Sequence, residues 1–473
     1  MLFLIGQRAL AKIIMNIAIV ILLFSFVGSA MSTDIQKSVS SGECEKSFVC
    51  VCTGTNCDIA EPLGDLAEEQ IVFYTSSKES DRFKRETASF NDKSESVVNE
   101  ASAIPVTIKV DASKKFQSIV GFGGAFTDSA GINFKALSEA AQQKLLESYF
   151  GDKGLNYTIG RVPIASCDFS TREYSYLDKE NDFELESFAL AKEDFDYKIP
   201  YINKAQELAN GNLKMFASPW SAPGWMKDSG RMKGGVSLKG PFNGKYYETY
   251  AKYFVRFLEE YAKHGINFWA ITIQNEPSTA LDPNWGWQTM WLSAKQQRGF
   301  ANALLSPALK QSEVGKQILI MAHDHNRDEV FDVAKDIYTD PQEDDAIDGM
   351  GLHWYTPGIY ENLEKVHGLN KDKFLFATEA CTGFLENEHI PLLGDWQRGE
   401  QYGLDILNDL KHWVTGWTDW NLALDLEGDE FYKQPMYYFL GHFSKFVLPN
   451  SVRLNQMLRK QKKTTRNLLL WSM

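Results

Sequence analysis

The sequence predicts an α/β protein whose main body is a (β/α)8 TIM barrel. Two observations carry that expectation. From Phe116 to about residue 425, eight apolar, strand-like runs follow one another: "SIVGFGGAF", "YTIGRVPI", "LKMFASPW", "FWAITIQNEP", "ILIMAHDH", "DGMGLHWY", "KFLFATEA" and "VTGWTDWN". Parallel strands buried on both faces read as such near-continuous runs. Amphipathic helices separate several of them. In "SEAAQQKLLESYF", Ala141, Leu145, Leu146 and Tyr149 share one face; Tyr250, Phe254, Phe257, Leu258 and Tyr261 do so further on, with Gly265 as a C-cap. Eight such alternations in roughly 300 residues fit the size of this barrel. The rival is a doubly wound sheet, but the glycine-rich "GFGGAF" lacks the following helix start of a dinucleotide fingerprint. It reads instead as a first strand that needs close backbone approach.

Ahead of the barrel the texture differs. Arg8 and Lys12 precede an apolar run from Ile13 to Val27 and then Gly28-Ser29-Ala30, the order of a secretory signal cleaved after Ala30. The run is short for a membrane span, and a signal anchor is the alternative. Residues 31–115 form a cysteine-rich, polar segment with short strands such as "QIVFYT" and "VTIKVD". Cys44, Cys50, Cys52 and Cys57 allow three pairings, and two disulfides are favoured over zinc in a secreted chain. The local closures Cys44–Cys50 and Cys52–Cys57 are preferred, while Cys167 and Cys381 read as free core thiols. The net charge of -13 argues against nucleic acid as a partner, because phosphate binding needs clustered Lys and Arg.

Barrels of this type place chemistry where strands end. Those ends hold Asp128, Arg161, Trp220, Asn275, Glu276, His323, His325, His353, Tyr355, Glu379 and Trp420. "WAITIQNEP" is typical: strand-forming residues lead into an amide, a carboxylate and a proline that cannot continue a sheet interior. Glu276 and Glu379, far apart in sequence, come to one rim. Paired carboxylates among aromatics suit glycoside hydrolysis: one donates a proton to the leaving oxygen, the other attacks the anomeric carbon or activates water. Asn275 is placed to bond a sugar hydroxyl, Tyr355 to donate to Glu379, and Trp220 and Trp420 to wall a sugar subsite. The plainer reading pairs Glu379 with Arg161 and leaves both indoles in the core. His323 and His325 have the spacing of strand-borne metal ligands, with Asp324 or Asp328 beside them. No further His cluster or C-x-x-C completes a set, so neither a metal nor a cofactor is expected.

Longer motifs sharpen this. "GFGGAFTDSAGINFKALS", "RVPIASCDFSTREYSY", "SPWSAPGWMK", "SLKG", "ITIQNEP", "GLHWY", "LFATEACTG", "GWTDWNLAL" and "FYKQPMYYFLGHFSKF", in that order, resemble the glucosylceramidases of glycoside hydrolase family 30. The likeness runs from about Cys44 to Phe446. It implies Glu276 as acid/base, Glu379 as nucleophile, and Asn275, Asp128, Trp220 and Trp420 as ligands of the glucose, with His353 and Tyr355 flanking the nucleophile. It further implies glucosylceramide as substrate, hydrolysed with retention in acid at a membrane surface in the lysosome, with a saposin-type helper and no cofactor.

Two departures from the family pattern stand out. "NLALDLEG" runs directly into "DEFYKQP", without the loop and strand usual between them. After Phe446 the family continues through strands that complete a β-sandwich with the N-terminal segment. Here residues 426–473 are expected to be an incomplete remnant ending in a disordered basic tail, because "SVRLNQMLRKQKKTTRNLLLWSM" lacks sustained alternation. An inactive homologue that binds lipid or activator without turnover is therefore the alternative to an active hydrolase.

Overall fold

The computed structural model describes residues 2–7, 18–23, 49–89, 107–339, 346–385, 388–424, 428–459 and 468–472. Strands β1 (Leu2–Gln7), β2 (Ala18–Leu23), β3 (Cys50–Thr53), β4 (Gln70–Thr75), β5 (Lys84–Ser89) and β6 (Thr107–Ser118) precede the barrel. All eight expected runs then become β7 (Gly121–Ala125), β8 (Ile159–Ile164), β9 (Lys214–Pro219), β10 (Phe268–Thr272), β11 (Leu319–Asn326), β12 (Gly349–His353), β13 (Phe374–Glu379) and β14 (Val414–Asn421). They pair in parallel in sequence order, and β14 closes on β7. The glycines of "GFGGAF" make that closure possible. A Cβ on Gly123 would stand 1.8 Å from the Ile159 carbonyl oxygen, so β7 approaches β8 more closely than any side chain allows.

The helices take the faces their periodicity assigns. In Lys245–Lys263, the side chains of Tyr250, Phe254, Phe257, Leu258 and Tyr261 are all buried against the barrel. Each contributes on the order of 1.5–3 kcal/mol of burial, so Phe257→Ala would cost about 3–5 kcal/mol. The helix ends as expected: Gly265 adopts φ 79°, the left-handed turn that a side chain resists.

The chain ends supply strands outside the barrel. β15 (Glu430–Lys433) pairs with β3, while β16 (Val452–Arg459) and β17 (Leu468–Ser472) enter a seven-stranded sheet ordered β5-β4-β1-β2-β17-β16-β6. The stretch expected to be an incomplete β-domain remnant pairs along most of β6. The pairing shifts register twice, between Val452 and Leu454 and between Leu454 and Asn455, and at both places the extra residues lie in β6, which bulges there. Residues 460–467, where the basic tail was expected, lie outside the described residues.

β1 and β2 fall within the expected signal segment. In the uncleaved chain they pair with each other and lie between β4 and β17. The expected cleavage point after Ala30 lies outside the described residues, as does Cys44. Cys52 and Cys57 form the expected disulfide, Cys50 is also disulfide-bonded, and Cys167 and Cys381 are free. No helix among the described residues is long and apolar enough to cross a membrane.

Candidate active site

The turn after β10 is built by its neighbours. The Asn275 amide donates to the Pro219 carbonyl (2.9 Å) and the Glu276 amide to the Asp324 carbonyl (3.0 Å), so β9 and β11 stitch it down. Glu276 is held at φ 42°, ψ 57°, a left-handed conformation uncommon for a residue with a side chain. Pro277 favours an extended residue ahead of it, so the left-handed Glu276 is held by these tertiary bonds and not by its own sequence neighbour. His323 and Asp324 on β11 also have positive φ. The backbone is thus bent at two adjacent strand ends, and both bends aim side chains into the mouth.

Arg161 on β8 is the centre of a buried polar network. Its guanidinium donates to Glu379 Oε2, to Asn275 Oδ1 at 2.8 Å, to Asp324 Oδ2 at 3.1 Å and to Ser218 Oγ at 3.2 Å. Burial works against this cation, but the Asp324 and Glu379 carboxylates outweigh it and raise its pKa. Asp324 in turn receives four donors: Arg161, Thr272 Oγ1 (2.6 Å), Thr378 Oγ1 (2.5 Å) and His353 Nε2 (3.1 Å). Those bonds and charges overcome burial and hold its carboxyl well below the usual range. The plainer expectation that Arg161 pairs with Glu379 is therefore realised.

His353 stands between the two glutamates. Its Nδ1 lies 3.0 Å from Glu276 Oε1 and 3.9 Å from Glu379 Oε1. Burial would strip the imidazole of its proton, yet Glu379, Asp324 and Glu276 push its pKa up to about 10. Burial likewise opposes charge on Glu276, but hydrogen bonds from His325 and His353 hold its carboxyl well below the usual range. The pair thus shares one proton, resting on His353 Nδ1 and one hydrogen bond away from Glu276. Tyr355 donates to Glu379 Oε1 at 2.7 Å, and burial raises its phenol well above 10, so it remains a donor.

A family model, the glycosyl hydrolase family 30 TIM-barrel domain, matches residues 119–430. The chain belongs to glycosyl hydrolase family 30. It is 47% identical over 430 residues to putative glucosylceramidase 3 of Caenorhabditis elegans, covering 86% of this chain and 81% of that one. It is 38% identical to the lysosomal acid glucosylceramidase of Mus musculus, covering 86% and 82%. Among solved structures, SrfJ from Salmonella typhimurium superposes with a TM-score of 0.70 at 28% identity, covering 81% of this chain and 85% of that one. The protein is a glycoside hydrolase.

In this family 30 hydrolase the aromatic residues sit where the rim was expected. Trp220 and Trp420 stack on each other (5.2 Å, 17°), with the Arg161 guanidinium 5.0 and 5.1 Å from their ring centres. Both are almost wholly buried, and Trp420 Nε1 has no hydrogen-bond partner among the described residues. Asp128, the expected sugar ligand, accepts from Ser170 Oγ (2.6 Å) and Tyr174 Oη (3.0 Å) and pairs with the buried Lys198 ammonium (3.2 Å). A further buried carboxylate under the influence of Glu379 and Glu276 is Asp168, which the sequence did not single out. Its Oδ1 is buried without a partner, and burial plus the charges of Glu379 and Glu276 push the group up to about 8. Only the neighbouring "SCDFS" motif after β8 hinted at it. The two histidines of "HDH" separate: His323 Nε2 meets the Asn326 carbonyl at 2.9 Å and is held neutral, pushed down to about 3 by burial, while His325 reaches Glu276.

Proposed function

We propose that this hydrolase cleaves the β-glucosidic bond of glucosylceramide with retention, using Glu379 as nucleophile and Glu276 as acid/base. The observation that carries this reading is the single His353 nitrogen within reach of both carboxylates. Such closeness suits the roughly 5–5.5 Å separation of retaining enzymes better than the roughly 6.5–9.5 Å needed to seat a water between them. In the first step a Glu379 oxygen attacks the anomeric carbon while the bond to the aglycone oxygen breaks. That oxygen takes a proton from Glu276, replenished along the 3.0 Å bond from His353 Nδ1. In the second step Glu276 accepts a proton from water, whose oxygen attacks the anomeric carbon and expels Glu379.

Asn275, oriented by Arg161, bonds the sugar hydroxyl beside the reacting carbon. Asp168 and Trp420 Nε1, each with a free bonding position, hold other hydroxyls, and Trp220 packs behind them. The ceramide reading is supported by the relatives' names and by the rim. Leu281, Leu385, Ile390, Leu392, Leu393 and Leu424 are exposed on the loops that follow β10, β13 and β14, with Ile390 72% accessible. An apolar fringe at the mouth suits a lipid surface from which the headgroup is drawn in. The disulfides accord with the secretory and lysosomal route, and a saposin-type helper follows from the resemblance alone. The contacts among Glu379, Arg161 and Asn275 favour turnover over a binder without it.

The test is glucose release from glucosylceramide in anionic vesicles at acidic pH, with the first-formed anomer read by proton NMR. β-Glucose supports the reading. α-Glucose would contradict retention, and turnover of simple aryl glucosides with none of glucosylceramide would contradict the substrate.

A further inference from the structure

Glu276, His325 and His353 offer one ligand atom each, all within 4.8 Å of one another. They come from three different strand ends, so no sequence spacing announces them. The Glu276 Oε1 separations from His353 Nδ1 and His325 Nδ1 are 3.0 and 3.5 Å. Ligands about 2.0–2.2 Å from a tetrahedral zinc ion stand about 3.4 Å apart, so the His325 edge already has that length and the His353 edge needs to open by about 0.4 Å. Apart from that 3.5 Å approach to Glu276, the buried His325 Nδ1 has no polar partner in hydrogen-bonding geometry among the described residues. A buried polar atom left in that state marks a place where a ligand is missing.

The outer atoms of both rings are also arranged for a metal. His353 Nε2 bonds Asp324 Oδ1 at 3.1 Å, and His325 Nε2 lies 3.7 Å from Glu329 Oε1. Each imidazole therefore has a carboxylate behind it and turns Nδ1 inward, the outer-shell support that metal-ligating histidines use. Two imidazoles and one carboxylate with an open fourth position are a common zinc donor set.

We propose that Glu276, His325 and His353 form an inhibitory site for a zinc-class divalent cation. The ion ties up Glu276 Oε1, so Glu276 can neither protonate the leaving oxygen nor take a proton from the water of the second step. The inhibitory half of this proposal rests on Glu276 being the acid/base; the binding half does not.

The test titrates the metal-stripped full chain with zinc chloride at neutral pH by calorimetry, and follows hydrolysis of a chromogenic β-glucoside in parallel. The expected result is one zinc per chain, loss of hydrolysis with the same midpoint, and recovery on adding EDTA. His325→Gln, which keeps a polar amide of similar size, should weaken zinc binding at least about tenfold. Zinc-edge anomalous scattering from crystals should place the ion among the three side chains. No binding up to millimolar zinc, unchanged affinity in His325→Gln, or an ion located on Cys381 would overturn the site. Zinc bound at the site while hydrolysis continues would overturn the inhibition. A metal-free chain that hydrolyses no β-glucoside would refute the acid/base role instead, and calorimetry would still decide the site.

Discussion

Replacing Asp324 by Asn changes one atom's chemistry at the centre of the network. All four partners of Asp324 approach as donors: Arg161, Thr272, Thr378 and His353. An amide keeps one acceptor oxygen, but its nitrogen must face two of those donors. Two hydrogen bonds to a charged group are lost, each worth about 1.5–3 kcal/mol. The variant should therefore be about 3–5 kcal/mol less stable at neutral pH, the range found when one member of a buried ion pair is removed. The reference matters, since a folded domain has only about 5–15 kcal/mol in hand. The sign with pH follows from the depressed pKa of Asp324. Its contribution is fully present above the unfolded value near 3.9 and is lost as pH falls below it. Urea unfolding of both proteins at pH 7 and below about pH 4 reads the effect as a midpoint shift at constant slope. The gap should be large at pH 7 and shrink in acid. A difference under about 1 kcal/mol at pH 7 would show that Asp324 does not hold the network together.

Other consequences are equally direct. Glu276→Gln should depress kcat/KM by about 100- to 10,000-fold for poor leaving groups and little for an activated aryl glucoside, because only the former needs a proton, while kcat falls for both because the water step loses its base. Asp168→Asn should lower kcat/KM by about 2- to 10-fold, the loss of one neutral hydrogen bond to sugar. The same change should raise stability at pH 7. With a folded pKa near 8, wild type loses stability as pH climbs from about 4 to 8, so the advantage should vanish below about pH 4, as thermal melts at both pH values would show. Alkylation and mass spectrometry of the unreduced protein should modify Cys167 and Cys381 alone. Asn156, whose sequon partner Thr158 is buried just ahead of β8, should carry no glycan in the secreted protein's peptides.

The barrel was legible because each strand announces itself twice, by an apolar run and by the chemistry at its end. Glu276, Glu379 and Asn275 could be picked out because polar residues that terminate such runs have few other reasons to be there. Asp324 was hidden by its neighbours: between His323 and His325 it reads as part of a metal motif, not as the acceptor for four donors on four strands. Asp128 and Asp168 occupy similar contexts, "TDS" and "CDF". What separates them is Lys198, which folds against Asp128 from a distant helix and leaves Asp168 unpaired. The partner of β16 was not legible because β6 lies more than 300 residues away and bulges twice against it, features fixed by pairing rather than by local sequence.

The assignment of Glu379 as nucleophile is tested most directly by trapping the glycosyl-enzyme. An activated 2-deoxy-2-fluoro-β-glucoside forms the covalent intermediate but slows its hydrolysis, because the fluorine destabilises the oxocarbenium-like transition state. Peptide mapping of the inactivated protein should find the sugar on the "FLFATEACTG" peptide, esterified to Glu379, and Glu379→Gln should take up no label. A label on Glu276 or Asp168, or slow turnover with no covalent adduct at all, would contradict the account.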